Sequence, residues 1–438
     1  MVLTMKKALA AVCSLSLALS GCGEMDIPDL NNPSASTLEE NPTRSVVLSA
    51  STGLLLGARD NYAAANGYVA MTGILGREAY NFDAADPRFV TEMLASPQLD
   101  PGSPAFGGNL WTEHYRNIRN AGLLRGALER VSGVSAEEAE AIRGFSKTIE
   151  AWNFLMISNT RERAPIDVHR PLGAELAPIE DRAALLAHVS TLLDEGRVHL
   201  QAGGASFPFP LSSGFTDLNT PATFIGFNRA LKARVEAYRQ NWQASLDAVA
   251  ESFYDPTEPL SFGAYHAYAE TAGDQANELI SPNLYVHPSI AAGAEAGDAR
   301  VSRAITAVEE RKVSDLVSSQ AFTLYTSGGT PVPFIRNEEL LLLRAEAQFQ
   351  LGQLPAAVDD LNLVRTASGG LAARTDLDAS NFLDELLKQR RYSLLFEGGH
   401  SWIDARRYGR LEQLPLDLAS HTRHVWYPIP EAETDARQ

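Results

Sequence analysis

Apolar residues recur at alternating steps of three and four along several stretches of the chain, the spacing of an amphipathic helix. From Trp111 they fall at Tyr115, Ile118, Ala121, Leu124, Leu128 and Val131. A second helix carries Ile142, Phe145, Ile149, Trp152 and Met156, and after a Pro-containing loop Leu185, Val189 and Leu192 open its partner, giving a hairpin unit near 111–200. A second unit near 222–253 is read from Phe227, Leu231, Arg234 and Tyr238, then Trp242, Leu246, Val249 and Phe253. The third, near 336–367, opens at Leu340, Leu343, Ala347 and Leu351, turns at Gly352 and restarts at Leu354-Pro355 with Val358 and Leu361. Proline is tolerated in a first helical turn because its missing N–H has no partner there anyway.

Arg234-x-Glu236-Ala237 in one hairpin echoes Arg344-x-Glu346-Ala347 in another. Small residues where helices cross, large ones between and Gly at the turn make a degenerate tetratricopeptide-like repeat. The fixed period of about 34 residues is not kept, because segments near 80–110, 159–180, 203–221 and 254–332 interrupt the array. The predicted fold is all-α, with tetratricopeptide-like hairpins and long irregular loop inserts. The inserts at 80–110 and 254–332 are the expected ligand half, since long loops in a compact domain tend to carry function.

The N-terminus departs from this pattern. Lys6 and Lys7 precede an apolar run from Ala8 to Ser20, too short to span a bilayer and flanked like a signal peptide. It ends Leu19-Ser20-Gly21-Cys22, which resembles a bacterial lipobox, where diacylglycerol alkylates the thiol and the chain is cut just before it. Residues 1–21 are therefore expected to be removed and Cys22 lipidated, with 22–44, rich in Asp, Glu, Pro and Asn, as a tether of little regular structure and 45–438 as the body. The remaining cysteine, Cys13, lies in the apolar run, so no zinc pattern or disulfide framework exists.

The 438 residues are 45% hydrophobic and 21% charged, enough to build a sizeable core, and the net charge of −17 opposes binding to phosphate backbones or anionic headgroups. Nucleic acid is excluded as a partner on that ground, and lipid is left as the membrane attachment.

Pro333–Ala347, continuing to Asn362-Leu363-Val364-Arg365, resembles the signature helix pair of the SusD/RagB family of outer-membrane nutrient-binding lipoproteins. Gln389–Asp404 followed by Arg407-Tyr408-Gly409 resembles that family's second block, Tyr427-Pro428-Ile429-Pro430 its terminal one, and Trp111-x-x-x-Tyr115-x-x-Ile118 its first helix. Gln389, Ser393 and Ser401 depart from the family's usual Glu, acid or amide, and Arg, which touches local salt bridges rather than the fold. The resemblance implies hairpins facing a TonB-dependent, SusC-like transporter, a loop half that holds the ligand, and a lipoprotein on the outer face of the outer membrane. It also implies delivery of oligosaccharides or sometimes peptides, without cofactor or catalysis.

Phe382, Leu386, Arg390 and Leu394 share one stripe, so Arg390 is predicted on an apolar helix face and needs a buried carboxylate. Glu397, Asp404, Glu339 and Glu346 are the available partners, and the block reads as structural. His421-x-x-His424 lacks a third metal ligand, and Asp376-x-Asp378 lacks the Gly and distal Glu of a calcium loop, so no metal is assigned. Hydrolase, metalloprotease and phosphate-loop motifs are missing, and carboxylate pairs at glycosidase distance cannot be read from spacing. The loop aromatics are the candidates for sugar stacking: Tyr80 and Phe82 in the first insert, Tyr265, Tyr268, Tyr285 and Tyr325 in the last, with Asn283 and Asp298 as partners for hydroxyls. The same rings also suit packing the inserts down. Two other classes stay open: a tetratricopeptide scaffold lipoprotein of outer-membrane assembly, and a glycoside hydrolase.

Overall fold

The computed structural model describes residues 35–103, 109–171 and 173–438. Cys22, the expected signal peptide and the first part of the expected tether lie outside the described residues. The tether's end is ordered rather than irregular: Ala35–Glu40 is a short helix, and Leu38 is buried.

Eleven longer helices follow: α1 Arg44–Arg59, α2 Tyr68–Leu75, α3 Asn109–Leu128, α4 Ala136–Thr160, α5 Arg182–Gln201, α6 Pro221–Tyr238, α7 Trp242–Ala250, α8 Asn337–Gln350, α9 Leu354–Ala367, α10 Phe382–Ser393 and α11 His400–Arg407. Their starts are chemically marked. Ser135 and Glu138 form a reciprocal capping box at α4, Asp181 accepts from the Ala184 N–H at 2.8 Å at α5, and Thr220 caps α6 ahead of Pro221. The helices pack in sequence order, α3 on α4, α4 on α5, and so through to α8 on α9, with α10 returning against α8. Glycines permit the closest crossing: a Cβ on Gly144 of α4 would stand 2.6 Å from Leu200 Cγ and 2.7 Å from the Gly196 carbonyl of α5.

The inserts are not structureless, and the fold is not all-α. β1 Ala79–Asn81, β5 Leu284–Val286, β6 Ile305–Val313 and β7 Leu316–Phe322 form an antiparallel sheet in the order β1-β5-β7-β6. β2 Arg163–Pro165 pairs with β3 Ile179–Asp181, and β4 Gly263–His266 pairs with β8 Val332–Arg336. The last pair clamps the two ends of the large insert together, and β8 then runs straight into α8. Within the insert, β6 and β7 are joined by Ser314 and Asp315 at φ 49° and 68°, the left-handed pair that matches strand twist in a tight hairpin.

One buried core runs from Leu38 to Tyr427, with a smaller cluster where α8, α9 and α10 meet. α2 is buried at every position and passes through the main core. Arg390 is fully buried, and its Nε donates to Asp404 Oδ2 at 2.6 Å; Arg407 Nη1 donates to Asp404 Oδ1 at 2.9 Å. Glu397 is paired elsewhere, with Arg336, while Glu339 binds Arg234 and Glu346 binds Arg407.

Candidate functional site

The pairing of β1 with β5 sets Tyr80 opposite Tyr285, and the two-residue period of strands puts Phe82 and His287 on the same face. The rings form a continuous stripe: His287 to Tyr80 at 4.8 Å between centres, Tyr80 to Phe82 at 5.2 Å, Phe82 to Tyr285 at 5.3 Å. One end is closed. There His287 Nε2 lies 3.1 Å from Asp417 Oδ1; burial pushes the Asp417 carboxyl up, but hydrogen bonds from His287 and the Tyr80 hydroxyl prevail and hold it below the usual carboxylate range.

The other end is open. Tyr285 and Asn283 are half-buried there, and the guanidinium of Arg311 from β6 bridges them: Nη1 donates to Asn283 Oδ1 at 3.1 Å, Nη2 to the Phe82 carbonyl at 2.7 Å, and its carbon lies 5.9 Å from the Tyr285 ring centre. The Phe82 N–H in turn donates to the Asn283 carbonyl at 2.8 Å, which fixes the backbone beneath the patch. A half-exposed aromatic ring, an amide and a charged fork donor within one short stretch of surface can hold a pyranose: the ring takes its C–H face, and the polar groups take its hydroxyls.

Four of the eight sequence candidates, Tyr80, Phe82, Asn283 and Tyr285, thus come together. Tyr80 and Phe82 are at most 2% exposed, so they support the patch rather than offer a free face. The other four lie elsewhere, two of them for plain structural reasons. Tyr325 is buried with its hydroxyl donating to the Phe396 carbonyl at 2.9 Å, and Asp298 caps Ala299–Ala304 and clasps Arg300 through both oxygens, at 2.9 and 2.6 Å. Tyr268 is buried beside Arg59, and half-buried Tyr265 donates to the Ser261 carbonyl. Arg311 was not legible: in Glu309-Glu310-Arg311-Lys312 it reads as one more residue of a solvated charge run. His421 and Asp376 belong to local packing, His421 3.6 Å from Asp417 and Asp376 paired with Arg374. Among the described residues no cluster of three potential metal ligands is found, and no helix is long and apolar enough to cross a membrane.

The body is mostly helical, with a strand-bearing insert that ends in an aromatic and polar patch. Among known families, residues 291–425 match the model of the SusD family. Solved structures agree in fold over nearly the whole chain. A surface glycan-binding protein A from Bacteroides thetaiotaomicron, in complex with laminarihexaose, is 15% identical with a TM-score of 0.71, covering 91% of this chain and 98% of that one. A SusD superfamily protein from Parabacteroides distasonis (15% identity, TM-score 0.67, 89% and 97% coverage) and a laminarin-binding SusD-like protein (16%, 0.65, 89% and 97%) superpose similarly. No curated protein matches in sequence. Residues 291–425 thus match the SusD family, and the chain as a whole shares the fold of SusD-like structures.

Proposed function

We propose that this protein binds an oligosaccharide at the outer surface of the outer membrane, anchored through lipidated Cys22, and passes it to a SusC-like TonB-dependent transporter. It performs no chemistry and needs no cofactor. The tetratricopeptide-like hairpins form the face toward the transporter, and the strand-bearing insert presents the ligand. The observation that carries this reading is the open end of the stripe, where Tyr285, Asn283 and Arg311 offer stacking and hydrogen bonding together. Two structural neighbours, one in complex with laminarihexaose and one laminarin-binding, support a glycan over a peptide.

Calorimetric titration of the protein with laminarihexaose and a wider glycan panel tests it. Tyr285→Ala should weaken the best ligand about tenfold, the ~1.4 kcal/mol expected of one aromatic contact, with the sugar recovered intact. Cleaved sugar would move the reading to a glycoside hydrolase, and silence across the panel would favour a scaffold in outer-membrane assembly.

A further inference from the structure

We propose that the cavity between α10 and α11 binds a small organic monocarboxylate, an acid whose apolar body is about the size of a single ring. The proposal goes beyond the glycan reading and does not rest on it, because the cavity shares no residue with the stripe. Its volume is about 300 Å³, at the low end of the roughly 300–1,000 Å³ typical of small-ligand pockets. Phe382, Leu386 and Arg390 turn one face of α10 into the core. Another face, carrying Asp384, Leu387, Lys388 and Arg391 at steps of three and four, lines the cavity. Ser401, Asp404 and Ala405 of α11 also line it, and Arg410, Gln413 and Leu414, just after that helix, complete the wall.

The three cations and two carboxylates of this wall are not matched one to one. Asp404 is occupied from behind, its two oxygens accepting from Arg390 at 2.6 Å and from Arg407 at 2.9 Å. Arg410 donates to Asp384. Lys388 lies 3.5 Å from Glu295, whose oxygens already accept from Arg365 at 3.1 and 2.9 Å. Arg391 has no such partner. Its Nη2 donates to the Ser289 hydroxyl at 2.8 Å and to the Arg77 carbonyl at 3.3 Å, and among the described residues no carboxylate lies within ion-pair distance of it. The acid whose charge bears on Arg391 is Glu78; burial pushes that carboxyl up to about 8, so it is neutral at pH 7 and leaves the guanidinium uncompensated.

One unmatched guanidinium selects the charge of the ligand. A monoanion gains Arg391 and leaves Asp384 and Asp404 with their own partners. A dianion would bring a second negative charge against those two acids, and a cation would meet Arg391 itself. A carboxylate also matches the planar fork of a guanidinium, which can hold both of its oxygens. Leu387, Ala405 and Leu414 offer the apolar body a place in the same wall. The net charge of −17 does not oppose this, because charges more than about 8 Å away are largely screened at physiological salt.

The test is calorimetric titration of the purified full chain in detergent at pH 7 with benzoate, and with benzyl alcohol, benzylamine and phenyl phosphate as neutral, cationic and dianionic probes of similar size. Benzoate should bind at least tenfold more tightly than each of the others. Arg391→Gln should weaken it about tenfold or more, and Arg391→Lys, which keeps the charge without the fork, should weaken it less. Gln413→Trp, which adds a large ring at an exposed part of the wall, should block benzoate with the melting temperature unchanged; it decides the matter if Arg391→Gln, having lost its hold on Ser289, does not fold. Absence of benzoate binding, equal or tighter binding of any other probe, or benzoate affinity unchanged in either folded variant would overturn the proposal.

Discussion

At the scale of single residues, buried charge is the most informative feature. Arg390→Ala should destabilise by about 3 kcal/mol, the lower end of the range for a broken buried pair, because Arg407 stays on Asp404 and keeps that carboxylate partnered. Equilibrium denaturation checks it, and an unchanged midpoint would mean that Arg390 carries no buried pair. Glu78 gives a pH signature. Burial pushes its carboxyl up to about 8 from 4.5, against the opposing charge of Arg391. Between those values only the native state holds the proton, so its contribution is whole below about pH 4.5 and disappears as pH rises through 8. Glu78→Gln should abolish that slope and be the more stable form at pH 8; parallel stability curves for the two proteins between pH 5 and 8 would contradict it. The position of Arg390 was legible, since four-residue steps from Phe382 set its face. Which of four acids it meets was not, because that depends on how α11 returns after the turn at Gly399.

Among the elements, the helices announced themselves and the strands did not. α3 to α9 follow from the apolar period, whereas β6 and β7 hide behind a turn, Ser314-Asp315, that lacks the glycine by which such hairpins are usually recognised. With that sheet unseen, Tyr80, Phe82, Asn283 and Tyr285 could be chosen as residue types, but neither their common face nor Arg311 could be derived. Helix crossing gives the prediction at this scale. Gly144→Ala places a methyl against Leu200 and the Gly196 carbonyl, so α4 and α5 must separate, at a cost of about 1–3 kcal/mol. A melting temperature equal to wild type would show that the crossing has slack.

For the whole molecule, the proposed function needs three parts: lipidation at Cys22, the helical array, and a strand-bearing insert that would meet the ligand. The anchor is tested in cells by metabolic labelling with a lipid probe. Cys22→Ala should lose the label and release the protein from the membrane, and label retained in the variant would refute lipidation there. The central claim is that glycan lies on the insert, over Tyr285, and it is tested most directly by a crystal structure of the protein with the tightest glycan of the panel. The account predicts a sugar ring stacked on Tyr285 with hydroxyls within hydrogen-bond reach of Arg311 and Asn283. Glycan seated on the helical array, with the Tyr285 patch bare, would contradict it.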